Sequence, residues 1–190
     1  MDRDEALQLV KEKIKTKNLI KHCLAVEACM RALAEKFGED QEKWGLAGLL
    51  HDIDYEETKD NPEKHSLVGA GILEELGFDK EIVEAVKTHN ERHGIAPETK
   101  MAKALFCVDP LTGLIVAATL VLPASPVGGP NKKIADLTVQ NVLNRFKEKG
   151  FARGANREII SKCSEINLTL EEFVNICLKA MQGISRNLGL

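Results

Sequence analysis

The amino-acid sequence predicts an all-α fold, and three observations carry the prediction. Apolar residues recur at three- and four-residue spacing over most of the chain, as on one face of a helix. Glycine, proline and Asx residues fall between those runs, where helices start and stop. No segment shows a strand's alternation, and no internal repeat or low-complexity tract interrupts the pattern.

Residues 3–16 carry Leu7, Leu9, Val10 and Ile14 as one stripe, which predicts an amphipathic first helix. Asn18 opens a second, with apolar residues from Leu19 through Leu33 at helical spacing and Gly38 as its stop. Glu39-Asp40 starts the third, which carries Trp44 to Leu50 and ends on His51-Asp52. Asn61-Pro62 marks a loop, after which His65 to Leu76, closed by Gly77, and Lys80 to His89 are further helices. Asn90 to Thr99 is a polar loop. Met101 to Val108 is a buried helix ending at Asp109-Pro110, where proline suits the first turn of a new helix over Leu111–Leu122. That apolar run could pass for a strand, but its helical neighbours favour a central helix. Pro123 to Pro130 is a loop rich in proline and glycine, too short for a domain linker. Helices over about 132–148, 155–165 and 170–187 follow, the last opened by Thr169 with Glu172 in capping-box spacing.

A chain of 190 residues suits one domain, 1–190, able to bury roughly 70% of its unfolded surface. Its net charge of −3 gives no general basic field, so a nucleic-acid polymer is not an expected partner. No apolar run reaches the roughly 18 residues that span a bilayer, and the start lacks the order of a signal peptide, so a cytoplasmic protein is expected. The five cysteines form no C-x-x-C pair and lie in apolar stretches, which predicts reduced, structural thiols. Only Cys23, next to His22, has a base beside it in sequence.

The chemistry concentrates at Leu46-Ala-Gly-Leu-Leu-His-Asp-Ile-Asp-Tyr-Glu-Glu57. His51 and Asp52 offer a nitrogen and an oxygen donor at the polar end of an apolar helix, a mixed pair suited to a divalent ion. More donors lie elsewhere. All five histidines fall between 22 and 93, and His22, His51, His65 and His89 take helix ends or inward faces. Asp109 closes an apolar run, where an aspartate is costly unless paired, hydrogen-bonded or metal-bound.

The ordered set His22, His51-Asp52, His65, His89, Asp109 resembles the HD superfamily of metal-dependent phosphohydrolases over about residues 18–120. Leu49-Leu50-His51-Asp52-Ile53 is close to that family's wording. The resemblance implies an HD-type helical bundle with a C-terminal extension at about 130–190, and a first metal held by His22, His51, Asp52 and Asp109. His65 and His89 correspond to the histidines that hold a second metal in the binuclear branch, with Asp52 bridging. One or two divalent ions are implied: Mn²⁺, Fe²⁺, Zn²⁺, Mg²⁺ or Ni²⁺. There are departures. The dyad is often followed by Ile-Gly-Lys, whereas this chain has Ile53-Asp54-Tyr55; the paired histidines and Gly-Tyr-Pro of the cyclic-dinucleotide phosphodiesterase group are absent, with His89-Asn90 in their place. Asp54 reads either as an outer carboxylate orienting His22 or a water, or as a solvated residue of an acidic turn.

A metal-activated water attacking a phosphoryl group needs the side chains only to position the phosphate. Candidate cations are Lys64, Lys87 and Arg92, and the basic segment 145–157 (Arg145, Lys147, Lys149, Arg153, Arg157) reads as a mobile flap or as a solvated face. His93 reads as an exposed loop residue. The expected function is hydrolysis of a small phosphomonoester or nucleotide, with Asp52, Asp54, Lys64 and Arg92 in the reaction site. A di-iron oxygenase like the inositol-oxygenase branch, and a non-enzymatic nucleotide-binding or interaction module, are the alternatives.

Overall fold

A computed structural model of the chain describes residues 1–122 and 133–190, and among these every regular element is helical. The proline- and glycine-rich segment from Pro123 to Pro130 lies outside the described residues. In chain order the helices are α1 (Arg3–Lys13), α2 (Lys17–Phe37), α3 (Gln41–Leu50), α4 (Tyr55–Thr58), α5 (Leu67–Glu75) and α6 (Lys80–Thr88). After them come α7 (Lys100–Leu120), α8 (Val139–Lys147), α9 (Arg157–Ser161), α10 (Leu170–Gly183) and α11 (Ser185–Leu188). Single 3₁₀ turns cover Glu91–His93, Ile134–Asp136 and Lys162–Ile166.

Two helices of 21 residues organise the core: α2 packs on α3, α7, α10 and α11, and α7 packs on α6, α8 and α9 as well. The α2–α3 contact is close because α3 carries glycine where the backbones meet. A Cβ at Gly48 would stand 2.9 Å from both Glu27 Cα and the Val26 carbonyl oxygen. This approach brings the end of α3 to His22.

Most helix starts follow the sequence signals. Asp40, Asp79 and Thr99 cap α3, α6 and α7 through their side chains, and Thr169 forms the expected capping box with Glu172. Gly38 and Gly77 end α2 and follow α5 in the left-handed region, at φ 69° and 76°. Asn18 does not open α2. Thr16 takes that place, and the Glu56 carboxylate accepts from the Lys15 and Thr16 N–H groups at 3.0 and 2.6 Å.

The largest difference from expectation is α7, which runs unbroken through Pro110. A proline inside a helix costs about 3 kcal/mol, because it gives no N–H and crowds the preceding turn. Here Leu105, Val108, Leu111, Leu114 and Ile115 are all fully buried on either side of it. At about 1.5–3 kcal/mol for each such side chain, the continuous buried face outweighs the break. By length and composition α7 is long and apolar enough to cross a membrane, with a mean hydropathy of 1.6, and 67% of that stretch is buried inside the fold.

Smaller corrections have local causes. The first helix ends at Lys13, because Ile14 is extended and buried in the core. His65 precedes α5 rather than starting it, because Ser66 takes φ 72°. The region expected as one helix over 132–148 divides where Thr138 and Asn141 form a capping box, and 155–165 tightens into a 3₁₀ turn ended by left-handed Asn167. The last helix breaks at Ile184, between α10 and α11.

Candidate metal centre

Six donor side chains converge from separate segments. His22 comes from α2, His51 and Asp52 from the turn after α3, His65 from the residue pair before α5, His89 from the end of α6 and Asp109 from the middle of α7. Asp52 stands between two sets. Its Oδ2 lies 3.6 Å from His22 Nε2 and 3.4 Å from His51 Nε2, and its Oδ1 lies 3.3 Å from His65 Nε2 and 3.5 Å from His89 Nε2. On the first side His22 Nε2 is also 3.1 Å from His51 Nε2 and 3.0 Å from Asp109 Oδ1. On the second, His65 Nε2 and His89 Nε2 are 3.2 Å apart.

The opposite ring nitrogens show which way these rings present their lone pairs. His51 Nδ1 donates to the Gly48 carbonyl at 2.8 Å and His89 Nδ1 to the Val86 carbonyl at 2.7 Å. A carbonyl only accepts, so the proton sits on Nδ1 and the Nε2 lone pair faces the cluster. His65 Nδ1 donates to Asp54 Oδ1 at 2.9 Å. His22 Nδ1 stands 3.2 Å from Thr112 Oγ, whose own proton goes to the Asp109 carbonyl at 2.9 Å, so Thr112 accepts from His22. Four Nε2 atoms and two carboxylates thus face one another, an arrangement that calls for positive charge between them.

A divalent ion fits that requirement. Ligand atoms about 2.1 Å from one ion are roughly 3.0–3.5 Å from each other, close to the 3.0 to 3.9 Å between the donor atoms here. His22, His51 and Asp109 form one group, and His51, Asp52 and His89 another, whose ligand atoms lie within 4.8 Å of each other and could hold a metal.

The cluster divides its protons unevenly. Burial, against the pull of Asp52, lowers His51 to about 4. Burial also opposes charge on His65, but its hydrogen bonds to Asp52 and Asp54 raise it to about 9. His22 is raised in the same way, burial opposing and Asp109 prevailing. Burial disfavours the Asp52 and Asp109 carboxylates, yet the imidazoles hold both below the usual range. Protons on the outer imidazoles, or a cation in their place, balance the charge.

Asp54 is fully buried, so it is not a solvated residue of the acidic turn, and it orients His65 rather than His22. Its Oδ2 accepts from the Ser66 and Gly69 N–H groups, each at 2.8 Å. A Cβ at Gly69 would come within 3.2 Å of the carboxylate, so glycine lets the first turn of α5 close over it. Ser66 Oγ donates to the Lys87 carbonyl at 3.0 Å, tying this strained residue to α6.

A cavity of about 180 Å³ adjoins His65, lined by Tyr55, Thr58, Lys59, Pro62, Asn90 and Arg92 as well. Arg92 therefore shares a cavity with His65. Lys64 is exposed and is not among those lining residues; Lys59, which the sequence pattern did not single out, is. His93 is not a free loop residue: its Nε2 donates to the His65 carbonyl at 2.6 Å and braces that backbone. In the basic segment, Arg157 donates to the Ala152 and Phe151 carbonyls at 2.8 and 2.6 Å, and Arg145 pairs with Glu148 at 2.8 Å. These two arginines hold their own turn together, which leaves Lys147, Lys149 and Arg153 exposed. Cys23 is buried, and burial, with Asp52 and Asp109 adding to it, pushes its thiol well above the usual range. It is a packing residue.

Thr112 carries no signal of its own in the sequence. It lies three residues after Asp109 on one helix face, a relation hidden when the helix is broken at Pro110.

Residues 19–117 match the HD domain family. The chain is similar to Ribonuclease Y of Nitratidesulfovibrio vulgaris, 29% identical over 175 residues, covering 91% of this chain and 32% of that protein. It is also similar to Ribonuclease Y of Lawsonia intracellularis, 32% identical over 146 residues, covering 76% of this chain and 27% of the other. An uncharacterized protein of Methanocaldococcus jannaschii is 39% identical over 94 residues, 47% of this chain and 54% of its own length. The chain thus spans about a third or less of the length of the two ribonucleases.

Proposed function

Because the chain belongs to the HD domain family, an all-α family generally of metal-dependent hydrolases, we propose that it hydrolyses phosphate esters at a two-ion centre. In this reading His22, His51, Asp52 and Asp109 hold one divalent ion, and Asp52, His65 and His89 hold the other. One observation carries it: Asp52 turns Oδ2 to the first pair of imidazoles and Oδ1 to the second. Mn²⁺, Fe²⁺, Zn²⁺, Mg²⁺ and Ni²⁺ all suit mixed imidazole and carboxylate donors.

When bound, such ions lower the pKa of a coordinated water and neutralise charge on a phosphoryl oxygen. The chain's own residues do the rest. The four Nδ1 hydrogen bonds fix the rings so that the donors need no reorganisation. Arg92 and Lys59 meet anionic oxygens in the cavity beside His65. Asp54, which is not among the residues lining that cavity and accepts from His65 Nδ1, is a positioning residue.

The substrate in this reading is a small phosphomonoester or a nucleotide, in keeping with cavities of about 180 and 500 Å³ at the two ends of the centre. The names of the ribonuclease relatives favour a second reading, hydrolysis of an RNA phosphodiester by the same residues. Five free cysteines support a reducing, cytoplasmic setting.

The test is turnover of a panel of phosphomonoesters, nucleotides and short RNA by metal-loaded protein, with and without chelator. Chelator-sensitive release of phosphate from a monoester or nucleotide is expected. Cleavage of RNA alone establishes the second reading. Oxygen uptake with ferrous iron and no hydrolysis establishes the oxygenase alternative, and nucleotide binding without any turnover leaves a binding module.

A further inference from the structure

We propose that the cavity beside His22 is a substrate subsite that takes an apolar or heteroaromatic ring on the leaving-group side of the phosphate ester. The inference rests on the phosphohydrolase reading and names the substrate class for it.

The cavity holds about 500 Å³ and is lined by parts of α2, α7 and the chain after α10. That volume is in the range of small-molecule pockets, about 300–1,000 Å³. It begins where the metal donors end. His22 and Thr112 form one wall, and Gly113 stands one helical turn beyond Asp109. From Gly113 the same face of α7 continues through Val116, Ala117 and Leu120, opposite Ala25 and Leu188. Small side chains make the space: a Cβ added at Gly113 would meet nothing within 4 Å.

Lys21 gives the cavity a positive charge. It is half-buried, and among the described residues its ammonium makes no hydrogen bond or ion pair. Among the described residues no aspartate or glutamate side chain lines the cavity. A half-buried cation with no ion-pair partner among the described residues is satisfied by an acceptor on the ligand. Among the described residues no phenylalanine, tyrosine or tryptophan lines the pocket, so a ring would be held mainly by apolar contact. An apolar ring bearing one or more acceptors, joined to a phosphate that reaches the metal centre, satisfies all of these features at once.

The test measures affinity, not turnover. Mn²⁺-loaded protein is titrated by calorimetry with methylphosphonate, phenylphosphonate and the non-hydrolysable methylene phosphonate analogue of adenosine monophosphate. At least one ring-bearing probe should bind tenfold or more tightly than methylphosphonate, and whichever gains more identifies a simple ring or a nucleoside as the preferred group. Gly113→Phe, which fills the cavity, should bring the ring-bearing probes down to the level of methylphosphonate. Lys21→Gln, on the rim, should weaken the adenosine analogue more than phenylphosphonate. Equal affinities for all three probes, or a ring gain that survives Gly113→Phe in a protein of unchanged helicity and Lys21→Gln alike, would overturn the subsite. Failure of methylphosphonate and every other probe to bind would overturn the phosphohydrolase reading, and the subsite with it.

Discussion

Asp54 Oδ1 accepts a hydrogen bond from His65 Nδ1 at 2.9 Å, while Oδ2 of the same carboxylate accepts from the N–H groups of Ser66 and Gly69. One buried acid thus fixes the ring of a donor histidine, holds the left-handed turn at Ser66 and closes the start of α5. The aim of His65 Nε2 at Asp52 follows from this, because the loop before α5 has no helical backbone of its own to set it.

Asp54→Asn keeps the shape but turns an amide NH₂ toward one of three N–H donors. Metal affinity at the His65 and His89 side should fall about 10- to 100-fold, and stability by about 1–3 kcal/mol. Metal titration and urea unfolding measure the two effects. Wild-type affinity with wild-type stability would show that Asp54 does not position His65.

Thr112→Val removes the hydroxyl that links His22 Nδ1 to the Asp109 carbonyl, with little change in volume. Affinity for the ion on the His22 side should drop about tenfold, and stability by about 1 kcal/mol. Loss confined to the His65 side in a metal titration would contradict this assignment.

Gly48→Ala should destabilise the fold by about 1–3 kcal/mol, because the added methyl meets backbone atoms of α2 that cannot swing aside. Urea unfolding reads this directly. Since α3 carries His51-Asp52 to His22, metal affinity should fall in the same variant; a fully stable Gly48→Ala protein would mean that the α2–α3 approach leaves room for a methyl group.

All five cysteines are buried, and burial raises the thiols of Cys23, Cys107, Cys163 and Cys177 above their usual range. At pH 8 these thiols stay protonated and out of reach. Iodoacetamide should label less than one cysteine per chain in the native protein and all five after guanidinium unfolding. Rapid native labelling at Cys23 would revive a nucleophilic role for it.

The donor cluster was the most legible part of the chain. His51-Asp52 ends an apolar helix, and His22, His65 and His89 fall at helix ends or inward faces of the periodic runs, so position along a helix placed them inward. What escaped was set by long-range packing. Pro110 reads locally as a boundary, and only the buried faces on both sides of it make α7 continuous. Asp54 sits among acids and reads equally as an outer carboxylate or a solvated residue, because the three N–H groups that bury it come from 11 to 15 residues away. Lys59 and Lys64 look alike in sequence, and only the turn after α4 sends one of them to the cavity beside His65. Thr112 and Lys21 gain their meaning from a cavity shared by segments distant in the chain.

The central claim is a two-ion centre bridged by Asp52, and metal content per chain tests it most directly. Elemental analysis of protein purified without added metal or a metal-binding tag, and again after soaking in Mn²⁺, should find two divalent ions per chain. His89→Ala should retain about one, and Asp52→Ala fewer than either. No metal after soaking, or an Asp52→Ala protein with the wild-type content, would contradict the account.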